Sequence, residues 1–86
     1  MDWKKYGYVI SSNYRKKVLD SLQKSPKTPK QIAAETNLYL SHVSKTLNEL
    51  VSFQIAVCLT PELKRGRIYE LTKDGKEIAK YIDREA

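Results

Sequence analysis

The chain has 86 residues, which suffices for one domain with a modest hydrophobic core. Hydrophobic residues make up 41% and charged residues 30%, and the net charge of +6 indicates a polyanionic partner, with nucleic acid ahead of a membrane surface. Because Cys58 is the only cysteine, the sequence excludes an intrachain disulfide and a cysteine-based metal site.

The N-terminal segment, residues 1–10, is aromatic and basic and contains no long apolar run. We therefore expect no signal peptide, no membrane span and a cytoplasmic location. Trp3, Tyr6 and Ile10 fit one face of a helix, whereas Tyr6, Tyr8 and Ile10 fit one face of a strand, so the pattern leaves both structures open. Three roles fit this segment: a dimer contact, a nucleic-acid arm, or an arm that only covers the core.

The next segment predicts a helix from Ser11 or Ser12, either of which suits the N-cap, to about Lys24. Its expected core face consists of Tyr14, Val18, Leu19 and Leu22. Three cations near its start, where the helix dipole disfavours positive charge, are Arg15, Lys16 and Lys17. They form either a solvated run or a surface that faces phosphate.

A strong helix start follows at Thr28. Thr28 suits the N-cap, Pro29 suits the first helical position, and Gln31 stands where a capping box needs Glu or Gln. The small apolar face after it would let a second helix approach closely. Asn37 is the expected turn residue, because Asn tolerates the left-handed conformation better than most non-glycine residues.

The second helix of this pair has two distinct faces. A predicted buried stripe consists of Leu40, Val43, Leu47 and Leu50. A polar face at the same helical spacing consists of Ser41, Ser44, Lys45 and Asn48. Short hydrogen-bonding side chains with a cation suit base edges and phosphates in a major groove, although a merely solvated face has the same composition. The capped helix and the Asn turn before it favour a helix-turn-helix.

After Phe53 the hydrophobic period changes to that of strands. Ile55 to Leu59 predicts one strand, Thr60 to Gly66 a loop, and Arg67 to Leu71 a returning strand. The cations at the tip of this hairpin are Lys64, Arg65 and Arg67. They could contact a minor groove or phosphates, or simply keep the hairpin soluble.

Thr72 is expected to cap a last helix that extends to about Arg84. Its apolar face is wide for so small a domain and consists of Ile78, Ala79, Tyr81 and Ile82. This helix would pack either against a second subunit or on the core of its own chain.

Three helices, a hairpin and a closing helix make the winged-helix order, and over residues 8–82 the sequence resembles the winged helix-turn-helix transcription regulators. It is similar to the ArsR-like and MarR-like groups, and most of all to their small archaeal members. The resemblance rests on the stretches QIAAETNLYLSHVSKTLNEL and CLTPELKRGRIYELTKDGKEI. The family pattern falls on Ser41, Val43, Ser44, Lys45 and Leu47, and then on Arg67, Tyr69, Leu71, Thr72 and Gly75. It implies an α+β fold in residues 1–86, with a three-helix core, a β-hairpin wing and a C-terminal helix.

The sequence departs from the family pattern at a few positions. Asn37 stands where the turn often has Gly, and Tyr39 stands where the recognition helix usually has a capping Ser. Gln54 replaces the Gly common before the wing strand, so we expect some backbone strain there. The paired cysteines of metal-sensing ArsR-like proteins are absent, and we expect neither a metal nor a cofactor.

The sequence thus predicts a regulator that binds double-stranded DNA as a homodimer. The expected groove contacts are Ser41, His42, Ser44, Lys45 and Asn48, those of the wing are Lys64, Arg65 and Arg67, and those to the backbone are Lys27 and Lys30. The expected dimer interface is Trp3, Tyr6, Ile78, Tyr81 and Ile82.

The alternative is a winged helix that serves as a protein-interaction module in a larger nucleoprotein assembly. Its support is the apolar surplus at the two ends of the chain and the neutral charge of residues 28–59, whereas residues 1–27 hold seven Lys or Arg and two Asp. An enzyme is not predicted, since the sequence offers no nucleophile–base pairing, no Gly-rich phosphate loop and no metal-ligand spacing.

Overall fold

The computed structural model describes residues 1–85, which form five helices and one two-stranded antiparallel sheet. In chain order the elements are α1 (Trp3–Ile10), α2 (Asn13–Lys24), α3 (Pro29–Thr36), α4 (Leu40–Ser52), β1 (Ala56–Cys58), β2 (Tyr69–Leu71) and α5 (Lys73–Glu85). The N-terminal segment is therefore a helix rather than a strand. Within this part of the chain, no helix is both long and apolar enough to cross a bilayer.

Side-chain caps fix where α1 and α3 begin, whereas α4 begins without a side-chain cap. Asp2 starts α1 by accepting hydrogen bonds from the backbone amides of Lys4 and Lys5, both at 3.1 Å. Thr28 and Gln31 form the predicted capping box of α3, in which the Gln31 amide donates to Thr28 Oγ1 at 3.3 Å and the Thr28 amide donates to Gln31 Oε1 at 2.9 Å. These bonds satisfy amides that would otherwise lack a partner at a helix start.

Two non-glycine residues adopt the left-handed conformation, and both end a helix. Asn37 has φ 62° after α3, as predicted, and Gln54 has φ 58° after α4. The Gln54 amide donates to the carbonyl of Val51 at 3.0 Å and the Ile55 amide to that of Leu50 at 2.8 Å, which is the Schellman pattern. Gln54 thus occupies the position where glycine would cost least, and its conformation is disfavoured by about 1–2 kcal/mol for an L-residue.

The hairpin is shorter than its sequence pattern predicts. Ala56 lies opposite Leu71 and Cys58 opposite Tyr69, so the returning strand begins at Tyr69 rather than at Arg67. Lys27 pairs with the other edge of β2 through two backbone hydrogen bonds with Tyr69, at 3.1 and 2.9 Å. The smaller side chains of β1 face inward, which leaves Val57 on the exposed side.

The core lies where α2, α3 and α4 meet the hairpin and α5. Its fully buried side chains include Val18, Leu19, Leu22, Ile32, Val43, Leu47, Leu50, Ile55, Leu71 and Ile78. Two residues predicted to be core are not: Tyr14 is 43% exposed and Leu40 is 44% exposed. Both stand in the first turn of their helices, which extends beyond the core.

Gly75 allows α5 to close this core. A Cβ at Gly75 would lie 2.2 Å from the carbonyl oxygen of Ile55, closer than atoms can approach. That same carbonyl accepts a hydrogen bond from the Thr72 amide at 3.0 Å, and Thr72 Oγ1 accepts one from the Gly75 amide at 3.2 Å, as expected of a capping residue. The start of α5 is therefore fixed directly against the start of the hairpin.

Candidate nucleic-acid interface

Helix α4 presents an uninterrupted polar face to solvent. Its inner face consists of Val43, Thr46, Leu47 and Leu50, all buried. Its outer face consists of Ser41, Ser44, Lys45 and Asn48, all exposed. The two faces are separated as the helical spacing predicts, so the short polar groups of the outer face are free to contact a ligand.

A cleft of about 510 Å³ separates the first turns of α3 and α4 from the hairpin loop. Four cations line it: Lys30, Lys64, Arg65 and Arg67. Ser44 of the outer face and Leu40 line it as well. The structure thus brings the predicted wing cations, one predicted backbone contact and the polar face of α4 to one surface.

Backbone contacts order the hairpin loop that presents these cations. The Leu59 amide donates to the Ile68 carbonyl at 2.7 Å, and the Ile68 amide donates to Thr60 Oγ1 at 2.9 Å. Arg67 Nε donates to the Leu63 carbonyl, and Gly66 takes a positive φ of 66° at the tip. Arg67 therefore helps to hold the loop, whereas Lys64 and Arg65 extend from it into solvent.

Lys27 does not join this surface, in contrast to its predicted phosphate contact. Its side chain is 13% exposed, and its ammonium donates to the Ser21 carbonyl and to Ser25 Oγ and lies 3.4 Å from Glu35 Oε2. Lys27 is instead part of the internal junction between α2, α3 and β2. Lys30 is exposed and remains the candidate backbone contact from this part of the chain.

Glu35 is the carboxylate of that junction. It accepts hydrogen bonds from Lys24 Nζ at 2.7 Å and from Ser21 Oγ at 2.9 Å. These bonds lower the pKa of Glu35 to about 2, and the bond from Lys24 has the largest effect. The same bond raises the pKa of Lys24. Ser21 is buried with its hydroxyl satisfied, so the junction is polar but fully bonded.

A second, smaller cavity of about 270 Å³ lies on the other flank of α4, against the start of α2. His42 lies here rather than on the centre of the outer face, with its ring 4.8 Å from that of Tyr14 and 5.8 Å from that of Tyr39. Lys45 belongs to both the outer face and this cavity. Among residues 1–85, no group of three or more His, Cys, Asp or Glu side chains is placed to hold a metal ion.

The side chain of Arg15 contacts other residues of its own chain. Its guanidinium stacks 3.6 Å from the ring centre of Tyr8 and donates to the Tyr8 carbonyl at 2.9 Å. Its Nε lies 3.4 Å from Glu49 Oε1, and the Tyr8 ring stacks in turn on Phe53 at 3.8 Å. Arg15 therefore joins α1 and α2 to α4, which removes it from the run of cations that could face phosphate.

The aromatic residues at the two ends of the chain contact one another. The rings of Trp3, Tyr6 and Tyr81 form a three-membered cluster with centroid separations of 5.1–5.5 Å, and Lys5 adds an ion pair at 2.6 Å to Asp74. Tyr6 and Tyr81 are half-buried by this packing, as is Ile82, whereas Trp3 stays 57% exposed. The predicted interface residue Ile78 is fully buried in the core of its own chain, so its assignment to a subunit surface is wrong.

Sequence reasoning missed three residues beside the α4 face: Leu40 in the cleft, and Tyr14 and Tyr39 around His42. For Leu40 a signal was available, because Leu40 precedes Ser44 by four residues and so shares its side of the helix. Tyr14 fitted the core stripe of α2 as well as its surface. Its exposure depends on where α4 crosses α2, which the sequence of α2 does not state.

A scan against protein-family models gives no match, and a search of curated proteins gives none either. Solved structures do match. The multiple antibiotic-resistance repressor MarR from Listeria monocytogenes superposes with a TM-score of 0.79 at 14% identity, over 96% of this chain and 58% of that one. NMB1585, a MarR family regulator from Neisseria meningitidis, has a TM-score of 0.72 at 26% identity, over 79% of this chain and 49% of that one.

A third match is the homodimeric winged helix-turn-helix DNA-binding domain of Mb0332 from Mycobacterium bovis, a possible ArsR-family transcriptional regulator. Its TM-score is 0.71 at 20% identity, over 95% of this chain and 72% of that fragment. The chain spans about half the length of the MarR family structures that it matches. Such distant likenesses establish the architecture, in which α3 and α4 form the helix-turn-helix and the hairpin is the wing. The chain has the winged helix-turn-helix fold that these MarR-family and ArsR-family structures share.

Proposed function

We propose that the chain is a transcriptional regulator that binds double-stranded DNA in a sequence-specific manner. Helix α4 enters the major groove, and the wing contacts the adjacent backbone or minor groove. The observation that carries this proposal is the cleft in which Ser44 of α4 meets the cations Lys30, Lys64, Arg65 and Arg67. A groove-reading helix needs both short polar groups for base edges and cations for the flanking phosphates.

The two parts of this surface have separate roles. Ser41, Ser44 and Asn48 are neutral and short, so they suit hydrogen bonds to base edges. The cleft cations and Lys45 suit phosphates, whose contacts position a protein on DNA without reading sequence. The structural neighbours support a DNA-binding regulator, since they are named as regulators and one is named as a DNA-binding domain. We expect such a protein to act in the cytoplasm, and not as an enzyme.

Titration of duplex DNA at two salt concentrations tests the proposal. We expect tight binding at low salt that weakens steeply as salt rises, because each neutralised phosphate contributes about −0.9 to the slope of log affinity against log salt. The competing function is a protein-interaction module, which the 57% exposure of Trp3 favours. Binding that is absent at low salt would reject DNA as the ligand and support that alternative.

We further propose that two copies associate through the ends of the chain, at Trp3, Tyr6, Tyr81 and Ile82. Trp3 lies on the outer side of the aromatic cluster and is 57% exposed, so the cluster offers apolar surface to a partner. In a dimer packed through α1 and α5 about a two-fold axis, the two α4 helices would have to lie about 34–36 Å apart to meet successive major grooves, one turn of DNA from each other. The neighbour Mb0332 is named as a homodimer, which supports the association of two copies.

Sedimentation at micromolar protein measures the assembly directly. We expect a dimer for the unaltered chain and a monomer for Trp3→Ala/Tyr81→Ala. Phe53→Ala is the matched control, because it removes an exposed aromatic ring that lies on Tyr8 and not in the terminal cluster. A monomeric unaltered chain with or without DNA would reject the dimer, and a dimeric double variant would reject these residues as its cause.

A further inference from the structure

The cleft described above lies on one flank of α4 only. On the other flank the cavity of about 270 Å³ opens between α4 and the first turn of α2. Lining residues include Tyr14 from α2 and His42, Lys45 and Glu49 from α4. None of these four side chains is fully buried in the core, and no wing residue lines the cavity. The role of the wing therefore leaves this second flank without an assigned function.

An aromatic row follows this flank, which we define as Tyr14, His42 and Tyr39. The imidazole ring of His42 contacts both phenol rings, at centroid distances of 4.8 and 5.8 Å. Tyr39 is 77% exposed, more than any other large hydrophobic residue of the chain that the structure describes. No hydrogen bond among residues 1–85 uses either phenol hydroxyl, so both are free to bond an external group.

The charge of the flank favours an anion. Glu49 is the carboxylate that lines the cavity, and Arg15 offsets it at 3.4 Å. Lys45 is exposed and carries no ion pair within residues 1–85. A cation and two phenols with free hydroxyls therefore border the outer face of α4, on the side away from the wing cations.

A major groove has a sugar-phosphate backbone along each side, so a helix that enters it lies between two strands. We propose that the aromatic row and Lys45 bind the backbone of one strand while the wing cleft binds that of the other. The Tyr14 and Tyr39 hydroxyls donate to phosphate oxygens, their rings lie against deoxyribose, and Lys45 pairs with a phosphate. His42 is a positioning residue that keeps the two phenols apart. This inference rests on the proposed function and names the second backbone contact that it requires.

The residues of this flank make distinguishable contributions to affinity. Tyr14→Phe/Tyr39→Phe removes two hydroxyls and no charge, so it should weaken binding by about three- to tenfold per hydroxyl and leave the salt slope unchanged. Lys45→Gln removes a charge and should reduce the slope by about 0.9 per chain. Tyr8→Phe is the matched control, because it removes a phenol hydroxyl from a ring that stacks on Phe53 and lines neither cavity, and it should bind as the unaltered chain does.

Phosphate ethylation interference on each strand of a bound duplex locates the contact. The unaltered chain should show interference on both backbones that border the contacted groove. Within each half-site, Tyr14→Phe/Tyr39→Phe should lose it on one strand only, and Lys64→Gln/Arg65→Gln on the other. His42→Phe, which keeps a ring between the phenols, should retain the pattern, whereas His42→Ala should weaken it.

Two results would overturn the inference while leaving the proposed function intact. One is DNA binding with interference on a single backbone of each half-site, and the other is an unchanged affinity for Tyr14→Phe/Tyr39→Phe. A chain that binds no duplex at low salt would reject both the inference and the function beneath it. Circular dichroism of each variant confirms that the fold is retained before its affinity is compared.

Discussion

The wing makes the sharpest prediction. Lys64 and Arg65 extend from the hairpin tip without internal partners among residues 1–85, so Lys64→Gln/Arg65→Gln removes two cations while Arg67 continues to hold the loop. At about −0.9 per phosphate, the four cleft cations and Lys45 predict a slope of about −4.5 per chain, and the double variant should lower its magnitude by about 1.8. Between about 50 and 200 mM salt, that difference is a factor of about 12 in relative affinity per chain.

Fluorescence anisotropy of a labelled duplex over several salt concentrations measures the slope. Lys76→Gln/Lys80→Gln is the matched control, because it removes the same charge from exposed positions of α5, which does not line the cleft. If long-range attraction by net charge were the only effect, the two double variants would have equal slopes. That result, or an unchanged slope in the wing variant, would refute the role of the wing.

Three further predictions concern the outer face of α4 and the stability of the fold. Asn48→Ala should cost about 1–3 kcal/mol of discrimination between duplexes, measured by competition, because it removes a base contact rather than a phosphate contact. Gly75→Ala should destabilise the fold by about 1–3 kcal/mol in urea titrations, because its Cβ would meet the Ile55 carbonyl. The pKa of Glu35 is lowered from 4.5 to about 2 in the folded chain, so its stabilising effect is complete above pH 4.5 and is lost as the pH falls toward about 2. The difference in Tm between the unaltered chain and Glu35→Gln should therefore shrink over that range.

Each of these predictions has a control in the same chain. Lys45→Gln should weaken all duplexes alike, and the same result for Asn48→Ala would mean that Asn48 does not read bases. Gly7→Ala, at a helical position with no atom within 4 Å of the added Cβ, should stabilise the fold by up to about 1 kcal/mol. Glu62→Gln, in the exposed wing loop, should leave the pH dependence of Tm unchanged, and a constant difference for Glu35→Gln would reject its low pKa as the cause.

Local chemistry made much of this fold predictable. The capping box at Thr28 and the cap at Thr72 each depend on side chains within three residues of the backbone groups they satisfy, and the left-handed turn at Asn37 depends on the residue type at that position. Gln54 departs from the glycine of the family pattern, and in the structure it is the left-handed residue of a Schellman motif. Such contacts between residues close together in the chain can be predicted from the sequence alone.

The burial and pairing of some residues could not be predicted from the sequence, because they depend on how helices and strands pack across one another. Tyr14 and Ile78 have the same periodic signature as their core neighbours, yet one is exposed and the other fully buried. Lys27 and Lys30 are both cations beside a helix start, but only Lys27 lies against Glu35 of α3. No rule of spacing separates the members of these pairs, because the deciding contact comes from another element.

Three exposed residues beside the outer face of α4 share a location that explains why segment charge is a poor guide to the interface. Tyr14, Lys30 and Leu40 stand in the first turns of α2, α3 and α4, and these turns line the two cavities beside the outer face of α4. Helix N-termini carry partial positive charge, so the first turns that line these two cavities add to the attraction of an anion by the cations nearby. Residues 1–27 hold the larger excess of cations, but Arg15 and Lys27 are paired with carboxylates inside the chain. The segment that is neutral by count therefore supplies the outer face of α4, which is the proposed contact with DNA.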